Sequence, residues 1–153
     1  MRRILVTGMS GTGKSSALAE LARRGFRTVE TDEPGWNVEG PDGEQLWDEE
    51  KIARLLAEDD GPALFVSGTV RNQGRFYERF DAVVLFSAPA EVVLERIATR
   101  TTNDYGKSAA ERELILDHIR EIEPLLRATC TDEIDATLPL EEVVERLVEI
   151  ATR

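Results

Sequence analysis

Short apolar runs alternate along the chain with longer stretches of helical spacing. Runs typical of buried strands lie at residues 4–7, 27–31, 63–67 and 82–86, with a weaker one at 133–136. Apolar residues recur every three or four positions between them, which predicts helices at residues 14–24, 48–58, 73–79, 89–100, 108–128 and 140–152. Strands that alternate with helices form a parallel sheet. The pattern therefore predicts an α/β fold with five parallel strands flanked by helices.

A glycine-rich loop follows the first apolar run. Residues 8–15 read Gly-Met-Ser-Gly-Thr-Gly-Lys-Ser, the complete phosphate-binding loop pattern, and a predicted helix opens at Lys14. Converging backbone N–H groups and the positive end of the helix dipole make such a loop an anion site. Lys14 is placed to reach the β- and γ-phosphates, and the Ser15 hydroxyl to bind magnesium. The sequence thus predicts an ATP and Mg²⁺ site formed by Gly8, Ser10, Gly11, Thr12, Gly13, Lys14, Ser15 and Ser16.

Polar residues follow the predicted second and third strands, and ligands of parallel sheets bind at the carboxyl ends of strands. Asp32 is placed there to take a proton from an acceptor hydroxyl or to hold the water shell of magnesium, with Glu30 as the second candidate. Ser67, at the end of the third predicted strand, cannot supply a negative charge, so the metal is expected to depend on Ser15 with Glu30 or Asp32. Arg71 is placed to bind a carboxylate or phosphate of the acceptor.

Purely structural roles stay open for several of these residues. Asp32 is also typical of a turn before a Pro-Gly segment, and Arg71 of a solvated loop. Trp36 and Trp47 flank a polar stretch, where they either wall an acceptor pocket or anchor the loop to the core. We take Trp36 as a candidate acceptor-binding residue.

Two arginines close the helix predicted at residues 89–100. Arg96 and Arg100 lie four positions apart on one helical face, directly before the polar stretch 101–107. One guanidinium can stack on the nucleotide base while the other offsets charge on the transferring phosphoryl group. We predict a catalytic role for Arg100 and nucleotide binding for Arg96, which alternatively pairs with neighbouring glutamates.

Composition narrows the classes of protein further. The 153 residues include 30 acidic and 19 basic ones, a net charge of −11 that disfavours extended nucleic-acid binding. No apolar run approaches the ~20 residues of a membrane span, no signal sequence precedes the first strand, and Cys130 is the only cysteine. We expect one cytoplasmic domain over residues 1–153, a monomer or weak dimer without a membrane partner, that acts on a small molecule.

Together these motifs resemble the small phosphate-loop kinases, which include shikimate kinase, gluconate kinase and the adenylate kinase group. The loop at residues 8–15 is most similar to that of gluconate kinase, and Glu30-Thr31-Asp32 is similar to the paired acidic motif of shikimate kinase. Residues 67–71 resemble the adenylate kinase segment whose arginine binds the monophosphate, without its opening acidic residue. Arg96 with Arg100 resembles the paired arginines at the adenylate kinase lid.

The resemblance implies the three-layer P-loop nucleoside triphosphate hydrolase fold and phosphoryl transfer. It also implies that Thr137 and Pro139 line the adenine, that residues 33–60 bind the acceptor, and that residues 101–108 form a short lid. We expect ATP-dependent transfer to a hydroxyl of an anionic metabolite. The alternatives are a nucleoside monophosphate kinase and a regulatory ATPase that acts through a partner protein. Paired arginines beside a lid argue against the regulator, since a kinase must exclude water whereas a regulator need not.

Overall fold

The computed structural model describes residues 1–101 and 104–153. Its strands are β1 (Arg2–Gly8), β2 (Arg27–Glu30), β3 (Asn37–Glu39), β4 (Gln45–Trp47), β5 (Ala63–Ser67), β6 (Ala82–Ser87) and β7 (Asp132–Asp135). Its α-helices are α1 (Lys14–Arg23), α2 (Glu49–Ala57), α3 (Ala90–Thr99), α4 (Ala109–Glu121), α5 (Glu123–Thr129) and α6 (Leu140–Thr152). Five strands pair in parallel in the order β2-β5-β1-β6-β7. The predicted α/β fold with a five-stranded parallel sheet is confirmed.

Both faces of this sheet are covered, which explains why its strands read as continuous apolar runs rather than as alternating ones. Ile4, Val6 and Phe65 belong to one core cluster, which also includes buried residues of α1, α3 and α6. Leu5 and Leu64, on the opposite face, belong to a second cluster with buried residues of α2. Successive residues of one strand thus enter different halves of the core, and the loops at the carboxyl ends of β1 and β5 rest on a rigid base.

A two-stranded antiparallel hairpin, β3–β4, stands within the stretch for which the sequence predicted no strand. Each strand has only three residues, too few for a period of two to be visible. The Gly40 N–H donates to the Glu44 carbonyl at 2.7 Å and closes the hairpin. Asn37 of β3 donates its Nδ2 proton to the Thr31 carbonyl, directly after the carboxyl end of β2.

Two predicted helices differ from the structure. The helix predicted at residues 108–128 is divided into α4 and α5 at Ile122, because Pro124 has no N–H to donate and its ring disrupts the preceding turn. The helix predicted at residues 73–79 is a 3₁₀ helix (Gln73–Arg79). No helix in the described part of the chain has the length and apolar character needed to cross a membrane.

Candidate nucleotide and acceptor site

The phosphate loop connects β1 to α1 and is held in shape by its own residues. Gly11 and Gly13 have φ angles of +82° and +89°, which side chains disfavour. A Cβ at Gly11 would also lie 2.9 Å from Ile97 of α3, so only glycine lets the loop lie this close to that helix. The buried Thr12 hydroxyl donates to the Met9 carbonyl at 2.7 Å. The loop is therefore preorganised around the amino end of α1.

Lys14 spans the mouth of this loop. Its Nζ donates to the Gly8 carbonyl at 2.7 Å and to the Met9 carbonyl at 3.0 Å. Burial lowers the pKa of Lys14 from 10.5 to about 8, and the nearby Asp32 carboxylate partly opposes that shift. The ammonium is thus charged at neutral pH, held by two carbonyls and close to a carboxylate.

A cleft of about 1510 Å³ opens between the phosphate loop, the β3–β4 hairpin, the 3₁₀ helix and α4–α5. Its volume exceeds the ~300–1,000 Å³ of a typical small-ligand pocket, which leaves room for two ligands side by side. Predicted site residues that line it are Gly8, Ser10, Gly11, Gly13, Lys14, Ser15, Ser16, Asp32 and Arg71. Thr12 lies buried beneath the loop instead. Residues from three separate parts of the sequence therefore meet at one opening.

Glu30 and Trp36 are not among the residues that line this cleft. Glu30 is half-buried at the end of β2, in register with Ser67. Trp36 packs against the second core cluster and borders a smaller pocket with Lys51. Trp47 is buried and donates its Nε1 proton to the Thr31 hydroxyl at 2.8 Å. Both tryptophans thus anchor the polar loop to the core, the structural alternative left open by the sequence.

The cleft lining also excludes four residues predicted around the base and beside the lid, Arg96, Arg100, Thr137 and Pro139, but it includes Tyr105 of the predicted lid. Arg96 donates to the Ala136 carbonyl at 2.6 Å, just beyond β7, rather than to neighbouring glutamates. Thr137 donates through its backbone N–H and its hydroxyl to the Asp135 carboxylate, and these hydrogen bonds lower the pKa of Asp135. Pro139 caps the amino end of α6. Arg96 therefore lies beside the segment that the resemblance assigns to adenine.

Arg100 stands between the phosphate loop and the predicted lid. Its Nη1 lies 3.5 Å from the Ser10 hydroxyl oxygen, and its Nη2 donates to the Tyr105 carbonyl at 2.7 Å. Within the predicted lid at 101–108, residues 102 and 103 lie outside the described residues. Gly106 is buried against Ile97 and Ile115. Arg100 thus connects the lid segment to the loop.

A polar network that the sequence did not predict lies behind the phosphate loop. Buried Gln73 donates to the Thr7 hydroxyl at 3.1 Å and to the Tyr77 hydroxyl at 2.9 Å. The Thr69 hydroxyl lies 3.2 Å from that of Thr7 and donates to the Gly8 carbonyl at 2.7 Å. Thr69, Gln73 and Tyr77 all line the cleft. These residues lie in a largely polar stretch, and nothing in the local sequence reveals what they contact.

The comparisons with known proteins agree with this geometry. The family model described as "AAA domain" matches residues 4–121. No curated protein matches the chain. Similar solved structures include shikimate kinase from Bacteroides thetaiotaomicron, at 16% identity and a TM-score of 0.72 over 99% of both chains. Gluconokinase from Sinorhizobium meliloti 1021 has 22% identity and a TM-score of 0.64, over 99% of this chain and 92% of that chain.

A third similar structure is deoxyadenosine kinase from M. mycoides with bound dATP, at 13% identity and a TM-score of 0.63 over 100% of both chains. The fold shared with these enzymes is that of small phosphate-loop kinases. The resemblance inferred from the motifs is therefore confirmed at the level of the fold: the chain has the fold of the small phosphate-loop kinases.

Proposed function

Since this chain belongs to the AAA domain family, we propose that it is a kinase that transfers the γ-phosphoryl group of ATP to a hydroxyl of a small acceptor. The observation that carries the proposal is the position of Asp32, which lines the same cleft as Lys14 and Ser15. A carboxylate beside a phosphate loop is suited to activate a hydroxyl next to the γ-phosphate. The cleft extends beyond the phosphate loop, and this second half gives an acceptor room to bind beside ATP.

The reaction assigns a task to each of these residues. The acceptor oxygen forms a bond to the γ-phosphorus while the bond from that phosphorus to the β–γ bridging oxygen breaks, and ADP leaves. Asp32 accepts the proton of the hydroxyl. Lys14, released from its two carbonyl partners, offsets charge on the β- and γ-phosphates. The segment at residues 33–60 contributes Asn37, Glu44 and Gln45 to the acceptor half of the cleft.

The residues at the loop suit Mg²⁺ bound mainly through phosphate oxygens. The ion prefers oxygen ligands and typically takes one or two from the protein, keeping several waters. Ser15 and Asp32 line the cleft and offer such oxygens, whereas Glu30 does not line it. No group of three or more His, Cys, Asp or Glu side chains within residues 1–101 and 104–153 is placed to hold a metal alone. Mg²⁺ would supply charge compensation on the β- and γ-phosphates.

Acceptor-dependent release of ADP tests the proposed function. Purified protein with ATP and Mg²⁺ is incubated with sugars, hydroxy acids, nucleosides and nucleotides, and mass spectrometry identifies any phosphorylated product. We expect at least one acceptor to raise ADP release well above the rate in water. ATP hydrolysis that no small molecule stimulates, but that a protein partner does, would instead identify a regulatory ATPase.

The affinity for ATP is expected to fall as the pH rises above about 8, the pKa to which burial lowers Lys14. Bound phosphates favour the ammonium and raise its pKa, so binding takes up a proton in this range. Below about pH 8 Lys14 is already charged in the free protein, so its titration no longer makes the affinity for ATP depend on pH. Titration calorimetry should find the Kd rising by up to about tenfold per pH unit. Lys14→Arg, which stays charged, should remove this dependence on pH. A Kd for ATP that does not change with pH in the unmodified protein would contradict the prediction.

Arg100→Ala is expected to lower kcat by about 10²–10³-fold and to change the Kd for ATP far less. The reason is its place beside Ser10 of the phosphate loop, from which its charge can act where negative charge develops. Steady-state kinetics and ATP titration measure the two quantities. Arg120→Ala, on the exposed surface of α4, is the matched control. Equal losses in kcat and in affinity would make Arg100 a ground-state binding residue only.

A further inference from the structure

The acceptor half of the cleft combines carboxylates with an apolar wall. We propose that the acceptor is an alcohol that carries no phosphate or carboxylate, is uncharged or bears an amine, and has an apolar body of about ring size. This inference rests on the proposed kinase function and names its class of substrate. It replaces the anionic metabolite expected from the sequence.

Acidic side chains outnumber basic ones around the acceptor. Among the described lining residues, four are acidic, Asp32, Glu33, Glu44 and Glu121, whereas the basic ones are Lys14 of the phosphate loop and Arg71, with the single histidine His118. Arg71 already lies 3.1 Å from the Glu44 carboxylate and 4.0 Å from that of Asp42. An anionic acceptor would have to displace these partners and approach the remaining carboxylates, whereas an uncharged or cationic one would not.

Several polar atoms of this half are hydrogen-bond acceptors. The carboxylates of Asp32 and Glu33 line the cleft, and that of Asp32 lies close to Lys14. Asn37 also lines the cleft, and its Oδ1 is buried without a hydrogen-bond partner among the described residues. Atoms of this kind are satisfied by hydroxyl or ammonium donors and not by another anion.

The α4–α5 side of the cleft carries several apolar side chains. Ile122, Leu125 and Leu126 of the α4–α5 segment line the cleft together with Val70 and the ring of Tyr77. Leu125 is 67% exposed, so its side chain presents apolar surface to water at the cleft. A ring or short apolar chain laid on this wall would remove that surface from water. A small polyhydroxy acid has no group that would use it.

Two matched probe pairs test the proposal: benzyl alcohol with 4-(hydroxymethyl)benzoate, and glycerol with glycerate. Each pair keeps a primary alcohol and changes the charge of the acceptor. With ATP, we expect kcat/KM to favour the uncharged member at least about tenfold, and to favour benzyl alcohol over glycerol. The rate with 4-(aminomethyl)benzyl alcohol, relative to that with benzyl alcohol, separates an amine-bearing acceptor from an uncharged one.

Two variants test the walls separately. Glu33→Gln should reduce the preference within each pair several-fold by raising kcat/KM for the anionic member. Leu125→Ser should raise KM for the ring-bearing acceptor severalfold at nearly constant kcat. Leu114 is 48% exposed and does not line the cleft, so Leu114→Ser is the matched control and should leave KM unchanged.

The outcomes separate this inference from the proposed function. Preference for the anionic members, or a preference unchanged by Glu33→Gln, would overturn the inference and leave the kinase intact. If neither these probes nor the wider set of small molecules raises ADP release, the kinase proposal itself fails and the inference with it. Preference for the non-anionic, ring-bearing probes supports both.

Discussion

Lys14→Ala is expected to reduce acceptor-dependent ADP formation by at least about 10²–10³-fold while the protein stays folded. The variant removes the ammonium that the loop holds between the Gly8 and Met9 carbonyls, and with it the charge that faces the β- and γ-phosphates. The Gly8 and Met9 carbonyls still accept from the Thr69 and Thr12 hydroxyls, so the melting temperature should stay near that of the unmodified protein. Kinetics and thermal unfolding measure the two effects.

Lys51→Ala is the matched control for Lys14→Ala. Lys51 is exposed, donates to the Gly35 carbonyl, and does not line the large cleft. Its removal should leave ADP formation near the rate of the unmodified protein. Turnover retained in Lys14→Ala would contradict the assignment of this loop as the phosphate site.

Asp32→Asn is expected to lower phosphoryl transfer by about 10²–10⁴-fold, the usual contribution of a general base, while ATP still binds. Asparagine keeps the shape of the side chain but cannot take the proton of the acceptor hydroxyl. The Asp32 carboxylate also raises the pKa of Lys14, so the variant should shift the pH dependence of ATP binding to lower pH. Transfer rates and calorimetric titration report these effects separately.

Asp60→Asn provides the comparison for Asp32→Asn, since Asp60 is exposed and does not line the cleft. Its transfer rate should match that of the unmodified protein. Unchanged transfer in Asp32→Asn would mean that Asp32 only caps the turn at the end of β2, the structural role that its sequence context also allows.

The phosphate loop could be predicted because its determinants are local. Eight consecutive residues carry the anion-binding backbone, the lysine and the hydroxyl, and their spacing needs no partner from elsewhere in the chain. The parallel sheet could be predicted for a related reason, since strands buried on both faces must be apolar throughout. Local signals were weaker where elements are short, as in the three-residue strands of the hairpin.

The side chains around the second half of the cleft could not be assigned in this way. Trp36 and Arg71 both looked suited to an acceptor, yet Trp36 packs toward the core and Arg71 pairs with Glu44, 27 positions away. The buried Gln73 gave no sign of its contact with Thr7, 66 positions away. In each case the decisive neighbour is distant in the chain.

By itself, therefore, the sequence determined the class of fold, the phosphate loop and the carboxylate of Asp32 at a strand end, because short-range spacing and strand burial encode these features. The tertiary structure alone decided which side chains line the cleft and which charges are already paired. Those properties depend on how the β3–β4 hairpin and the α4–α5 segment lie around the cleft, and such packing depends on contacts between residues far apart in the chain.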